Sequence, residues 1–304
     1  MNALIAMLFL GLAFASLATW LPIVVRWHNY GAALPYEPRR RVPWGFVGAI
    51  PAILLVTLTV IHILSGAGPP TEPDLVATSV GFAVLTSVFA AIVITLSGAT
   101  ASDLGLPLNG IQLRGDVRLG AAGWLACLLP VFGVQYVLII LFRQTSQNPV
   151  IKLVEERPEW PILAVAFFSA VIVAPICEEL IFRVLLQGWL ERVEGRLRGR
   201  SDELELVAPD AGDVQSNEET PVKLSHDGKI ERSGGVIPIL VSSLLFSLAH
   251  FGNGPDPVAI FVFALFLGYL YQRTHRLVPC VVVHMLFNGL SLVMLWLSLA
   301  AEPQ

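Results

Sequence analysis

Apolar runs long enough to cross a bilayer recur along this chain and leave few folds open to it. There are eight, each about 16 to 24 residues long, with polar or turn-rich segments between them. About 20 apolar residues form a helix that crosses a bilayer, and a helix satisfies its own backbone hydrogen bonds in lipid. The runs are residues 3–25, 44–64, 75–96, 119–142, 160–177, 236–251, 257–272 and 277–299. We therefore predict an all-α fold, a polytopic membrane helical bundle with about eight transmembrane helices and a buried polar site.

The Lys and Arg residues are divided unevenly between the loops. With every run taken as a span, 15 of the 19 fall in alternate loops, and three fall in the loops on the other side. Loops rich in Lys and Arg face the cytoplasm, so we predict that both termini lie outside. This distribution favours a multi-pass integral membrane protein, for which we expect a bacterial cytoplasmic membrane. No basic face suggests nucleic acid, so we expect the lipid bilayer and no nucleic acid among its partners.

We expect one integral membrane domain, residues 1–304. Four spans occupy residues 1–159, and a core that carries the polar motifs occupies residues 160–200 and 235–299. Between the two parts of the core, residues 201–234 include nine Asp or Glu and few large apolar residues. Such a composition cannot bury enough apolar surface to fold, so it predicts a disordered cytoplasmic insertion.

Two carboxylates and an arginine interrupt the apolar pattern in the fifth run. Glu178, Glu179 and Arg183 would be ordinary at a helix end among the headgroups, but the apolar pattern continues past them to Leu190. They are therefore predicted to lie within one long helix, where ionisable groups are costly and indicate function. Pro175 should kink this helix and free a backbone carbonyl near the carboxylates.

Other polar residues fall inside the later runs. His250 lies near the end of the sixth run, and His284 and Asn288 lie in the eighth with the i, i+4 spacing that places both on one helix face. A histidine in a membrane helix can simply bond a neighbouring helix, which is our interpretation of His62 in the second run. The accompanying carboxylates, arginine and amide favour a shared site for His250 and His284.

Together these residue types are sufficient for amide hydrolysis without a covalent intermediate. A buried carboxylate beside a like-charged neighbour can act as general base, on a water that a histidine also positions. A second histidine and an asparagine can donate hydrogen bonds to the oxyanion that forms. Arg183 can hold one carboxylate ionised and leave the other free to act.

Two other hydrolytic mechanisms use overlapping residues. Two histidines with Glu178 and Glu179 are a sound zinc set, although HExxH is absent and Asn288 and Arg183 would have no role. A cysteine protease is suggested by Cys280, four residues before His284, and by Cys177 beside Glu178. Cysteine in an apolar run is more often a packing residue.

At these residues the sequence resembles the CPBP intramembrane proteases, which include the CAAX prenyl endopeptidases and bacteriocin-processing and immunity-type proteins. The family pattern is EExxxR, then FxxxH, then HxxxN or HxxxD, on separate helices. The matching residues are Glu178, Glu179 and Arg183, then Phe246 and His250, then His284 and Asn288. The resemblance covers about residues 160–299, and the first four spans carry no motif.

The resemblance implies a glutamate-dependent membrane endopeptidase with no metal and no cofactor. Glu178 and His250 would activate water, and His284 and Asn288 would form the oxyanion hole. The supporting residues would be Glu179, Arg183 and Phe246. Access to the site is expected from the cytoplasmic side.

The implied substrate is a membrane-associated peptide or protein, with or without a lipid group. A bacteriocin-immunity or scaffold protein of the same fold that lacks turnover is the main non-enzyme alternative. A transporter is disfavoured, because the polar residues are concentrated in the C-terminal half and no internal repeat is apparent.

Overall fold

The computed structural model of the chain describes residues 2–37, 42–65, 72–143, 146, 148–198 and 234–301. The predicted disordered insertion, residues 201–234, lies outside the described residues apart from its last glycine. The secondary structure of the described part is helical and includes no strand. The prediction of an all-α fold is confirmed.

Nine helices form within the described part of the chain. They are α1 (Asn2–Tyr30), α2 (Ile50–Ser65), α3 (Glu72–Ser97), α4 (Gly110–Phe142), α5 (Pro149–Glu156), α6 (Trp160–Leu197), α7 (Val236–Leu248), α8 (Asp256–Thr274) and α9 (Leu277–Ala301). A 3₁₀ turn, Phe46–Ala49, leads into α2. Seven of the nine, all except α5 and α7, are long and apolar enough to cross a membrane, when the turn Phe46–Ala49 is counted with α2. The predicted polytopic membrane bundle is therefore confirmed.

Helix α7 is shorter than the other membrane segments. It occupies the sixth predicted span but has 13 residues, and turns follow it over residues 249–255. At 1.5 Å per residue it rises about 20 Å, less than the hydrocarbon core of about 30 Å. Helix α7 by itself is therefore too short to cross the hydrocarbon core, and His250 lies in the turns that follow it.

Helix α6 is continuous over 38 residues, as the apolar pattern predicted. Two stretches of it, Phe168–Val173 and Leu180–Gln187, have π-helical hydrogen bonding and flank the segment Ala174–Glu179. Isolated π-turns inside α-helices are frequent at functional sites. The segment between them holds Pro175 and both carboxylates.

Charged side chains tie the helices together at one end of the bundle. Arg276 pairs with Asp116 of α4 and with Glu37, and Arg273 donates to the carbonyl oxygen of Leu34. Arg192 of α6 donates to the carbonyl oxygen of Pro43 over 3.0 Å. We call this end the arginine end. It is where the following residues meet: Leu34, Glu37, Pro43, Asp116, Arg192, Arg273 and Arg276.

The opposite end of the bundle is built by α5 and by the turns at residues 249–255. Leu153 and Val154 of α5 are buried in one apolar cluster with Leu75 of α3. Ser146 donates a hydrogen bond to Asp256 at the start of α8. We call this end the α5 end. The polar site lies between it and the arginine end.

Candidate active site

A buried ion pair within α6 is bonded to a histidine of α9. The guanidinium Nε of Arg183 lies 3.1 Å from Oε2 of Glu179, one helical turn away, and both side chains are fully buried. The other carboxylate oxygen of Glu179, Oε1, lies 2.9 Å from Nδ1 of His284. Because a charge is costly in a low-dielectric interior unless it is paired, the two partners explain how Glu179 is accommodated there.

The position of Arg183 is fixed by two further contacts. Its Nη1 donates to Oγ of Ser242 in α7 over 3.2 Å, and that hydroxyl donates to the carbonyl oxygen of Phe182. Its guanidinium carbon lies 5.1 Å from the centre of the Phe246 ring, within range of a cation–π contact. Arg183 therefore connects α6 to α7 while it neutralises Glu179.

Glu178 has different surroundings, although it is adjacent in sequence. Successive side chains on an α-helix point about 100° apart, so Glu178 leaves the buried pair and reaches a cavity. Its side chain is 14% exposed, and its Oε2 lies 3.8 Å from Nε2 of His284. The two nitrogens of the His284 ring are thus directed at the two neighbouring carboxylates.

His250 is held through its own backbone turn. Its Nδ1 lies 2.9 Å from the carbonyl oxygen of Phe246, which can only accept, so Nδ1 carries the proton of this bond. The neutral ring then has its lone pair on Nε2. The Phe246 ring packs between the two histidines, with centroid distances of 5.0 Å to His250 and 5.8 Å to His284.

Asn288 bonds to a backbone carbonyl of α6. Its Nδ2 donates to the oxygen of Ala170 over 2.8 Å. Just before this point α6 has π-helical hydrogen bonding, in which the N–H of Ala174 donates to the backbone oxygen of Ser169, five residues earlier. In the same pattern, an N–H of residue 175 would donate to the backbone oxygen of Ala170. Pro175 has no N–H, so that oxygen remains available. The freed carbonyl expected from this proline is thus present, and Asn288 is its partner.

These side chains meet at one large cavity of about 1490 Å³. Its lining includes the four residues predicted to be catalytic together with Phe246, whereas Glu179 and Arg183 lie behind its wall. The members of the predicted set that line it are Glu178, Phe246, His250, His284 and Asn288. The structure therefore brings together residues that are up to 110 positions apart in sequence.

Several contributors to the cavity carried no motif in the sequence. The first four spans supply much of its wall, for example through Phe9, Phe82 and Phe132. Asp256 also lines it and is buried, with Oδ1 lacking a hydrogen-bond partner among the described residues. In the sequence, Asp256 stands out only as an acidic residue just before the seventh apolar run. Acidic residues are common at the start of a helix, so this position did not indicate a site.

Neither cysteine proposed as an alternative nucleophile lines the cavity. Cys177 and Cys280 are buried, and the Cys280 thiol points to the carbonyl oxygens of Leu267 and Arg276. This placement favours the packing interpretation of both. The zinc alternative also fits poorly, because Arg183 and His284 already bond the two oxygens of Glu179. Among the described residues, no group of three or more His, Cys, Asp or Glu side chains is arranged to hold a metal ion.

Comparison with known proteins covers the part of the chain that carries the motifs of this site. Residues 159–209 and 217–290 match the family described as Type II CAAX prenyl endopeptidase Rce1-like. No curated protein and no solved structure matches the chain. The matched residues run from the start of α6 into α9 and contain all three motifs. The match supports the CPBP/CAAX protease family for this part of the chain, and the seven long apolar helices of the described residues support a multi-pass membrane protein.

Proposed function

We propose that the protein is an intramembrane endopeptidase of the CAAX-protease type, which hydrolyses a peptide bond at the membrane with water activated by Glu178 and His250. One observation carries the proposal. Of two adjacent carboxylates at membrane depth, Glu179 is neutralised by Arg183, while Glu178 reaches a cavity that two histidines and an asparagine also line.

In the first step, Glu178 acts as the general base. A water in the cavity attacks the carbonyl carbon of the scissile bond while Glu178 takes its proton, which gives a tetrahedral oxyanion and a protonated carboxyl group. The bond to nitrogen then breaks, and the proton passes from Glu178 to the departing amine. A positioned base of this kind contributes about 10²- to 10⁴-fold to the rate.

His250 assists the same water. With Nδ1 committed to the carbonyl oxygen of Phe246, only Nε2 of the neutral ring can accept a hydrogen bond from water. The contact between the Phe246 and His250 rings holds the imidazole in place. His250 thus orients the attacking water, and Glu178 removes its proton.

The oxyanion is stabilised by Asn288 and His284. The Asn288 amide nitrogen carries two hydrogens, and only one is used by the Ala170 oxygen, so the second can donate to the oxyanion. Nδ1 of His284 is hydrogen-bonded to Glu179. Its Nε2 can donate to the oxyanion when both ring nitrogens carry a proton. Preorganised donors of this kind cost no reorganisation at the moment of reaction.

We further propose that the cavity wall and the motifs form one integral membrane domain, because helices from residues 1–159 line the same cavity as α6 to α9. The substrate is a membrane-associated peptide or protein, with or without a lipid group. The bacterial cytoplasmic membrane is the proposed location.

Paired alanine variants test the function. Glu178→Ala and His250→Ala should abolish cleavage of a membrane-proximal peptide by the purified protein, while insertion and thermal stability are retained. Proteomic comparison of membranes that carry wild-type or Glu178→Ala protein should then reveal substrates that persist only in the variant. Cleavage by both purified variants at the wild-type rate would refute the mechanism, and an unchanged proteome would favour a scaffold or immunity role.

A further inference from the structure

The ring of Phe263 packs against the His284 imidazole at the cavity. The two ring centroids lie 5.3 Å apart and the ring planes meet at 74°, which is an edge-to-face arrangement. Phe263 belongs to α8, lines the same cavity as His284 and is only 3% exposed. It is part of none of the three motifs, and in the sequence it is one apolar residue among many in the seventh run. The structure therefore adds a contact to the site that the sequence did not indicate.

The hydrogen bond from His284 to Glu179 does not fix the plane of the imidazole by itself. It holds Nδ1 at one point, and the ring could still turn about that point. Two aromatic contacts restrict this movement, because Phe246 of α7 lies 5.8 Å from the imidazole centroid and Phe263 of α8 lies 5.3 Å from it. Aromatic pairs favour edge-to-face geometry at such distances. The two contacts thus keep Nε2, the atom assigned to the oxyanion, in one direction.

Phe263 is itself held in place by packing. Its ring lies 4.6 Å from that of Phe287, which follows His284 by one turn on α9, and Phe287 in turn stacks on Phe132 of α4 with centroids 5.1 Å apart. Phe263 also belongs to a buried apolar cluster that includes Val131 of α4. Side chains in close-packed cores sit in their rotamer minima. A row of packed rings from three helices therefore supports this side of the imidazole.

We propose that Phe263 is a further positioning residue of the active site, because its ring fixes the plane of the His284 imidazole and so keeps Nε2 directed at the oxyanion. This inference rests on the proposed function, since it gives Phe263 a part in the same hydrolysis. Phe263 acts through His284 and takes no proton or bond itself. Small displacements of a catalytic group are costly in rate, so loss of the contact should lower kcat.

Phe263→Leu removes the ring and keeps an apolar side chain. In peptide cleavage its kcat should fall about 3- to 10-fold with KM nearly constant, since one aromatic contact is lost. Phe263→Tyr keeps the ring and should retain most of the wild-type kcat. Phe266→Leu is the matched control, because Phe266 lies on the same helix, packs edge-on against Trp20 and is outside the cavity lining. Its kcat should stay close to that of the wild type.

A second measurement needs no cleavage. Diethyl pyrocarbonate modifies histidine rings, and mass spectrometry of the digested protein gives the rate at each histidine. His284 is only 4% exposed, so it should react slowly in the wild type and several-fold faster in Phe263→Leu. Phe263→Met fills more of the space than Leu and should show the same increase, which also covers a loss of folding in the Leu variant. His62 lines the same cavity and reports whether the reagent enters equally in every variant.

Modification of His284 at the wild-type rate in Phe263→Leu and Phe263→Met would overturn the inference. So would an effect confined to KM, or an equal fall in kcat in Phe266→Leu, since either would indicate a role in the cavity wall or in general packing. Faster modification with unchanged kcat would overturn it as well, because the ring orientation would then not serve the reaction. A wild-type protein that cleaves no peptide would count against the proposed function, and the modification rates alone would then decide whether Phe263 holds His284.

Discussion

Nδ1 of His284 lies 2.9 Å from Oε1 of Glu179, and Nε2 of the same ring lies 3.8 Å from Oε2 of Glu178. One imidazole therefore contacts both members of the carboxylate pair. Since Glu179 is also bonded to Arg183 and fully buried, it orients the ring, whereas Glu178 shares the cavity with it. Removal of one carboxylate or the other should thus have different effects.

Substitution of Glu178 should remove activity without loss of stability. Glu178→Gln keeps the size of the side chain but cannot take a proton from water, so kcat should fall about 10²- to 10⁴-fold. Its only ion-pair contact among the described residues is with the His284 ring at 3.8 Å, which Glu179 also holds, so the midpoint of thermal unfolding in detergent should match that of the wild type. A variant that keeps more than half of wild-type kcat would contradict the assignment of Glu178 as base.

Glu179→Gln should act mainly on stability. The substitution leaves the Arg183 guanidinium buried without its anion, and breaking a buried pair costs about 3–5 kcal/mol. Thermal unfolding of the purified variant in detergent measures this loss. The double variant Glu179→Gln, Arg183→Met is the control, since removal of both charges should recover much of the stability while activity stays low. Equal stability of the single variant and the wild type would disprove the structural role.

The sequence identified part of this site because charged and polar side chains are rare in membrane-spanning helices. Charged and imidazole groups stand out in an apolar chain, so Glu178, His250 and His284 could be identified and their convergence expected. Helical periodicity alone could not predict which carboxylate faces the cavity, because π-helical stretches alter the angular positions on α6, and the choice of Glu178 came from the family resemblance. Nor could it assign Phe9 or Phe132 to the wall, since apolar residues facing lipid and facing a cavity have the same composition.

Asn288 should contribute to the transition state more than to substrate binding. Asn288→Ala removes a donor to the oxyanion, for which losses of about 10²- to 10³-fold in kcat are typical. Ser291→Ala is the matched control, because Ser291 lines the cavity one turn further along α9 and its hydroxyl bonds only the backbone of its own helix. Steady-state kinetics on a peptide substrate should show a fall in kcat with KM nearly constant. An effect confined to KM, or an equal effect of Ser291→Ala, would argue against the oxyanion role.

Metal chelation should leave cleavage unchanged. Glu179 has both carboxylate oxygens bonded within the protein, so the two histidines and Glu178 would have to bind a metal without it. The purified protein is dialysed against EDTA, assayed, and assayed again after addition of Zn²⁺, with a known zinc peptidase as positive control. Activity that is lost on dialysis and returns with Zn²⁺ would support the metal mechanism instead.

Pro175 should influence catalysis through the Ala170 carbonyl. Pro175→Ala supplies an N–H that can compete with Asn288 for the Ala170 oxygen, and one hydrogen bond contributes about 1 kcal/mol. A rate change of up to about tenfold follows if the Asn288 amide loses this anchor. Pro130→Ala is the control, because Pro130 also lies inside a membrane helix but does not line the cavity. The double variant Pro175→Ala, Asn288→Ala separates the two causes. Its kcat should equal that of Asn288→Ala alone, and an additional loss would show that Pro175 acts by another route, such as the position of Glu178 on α6.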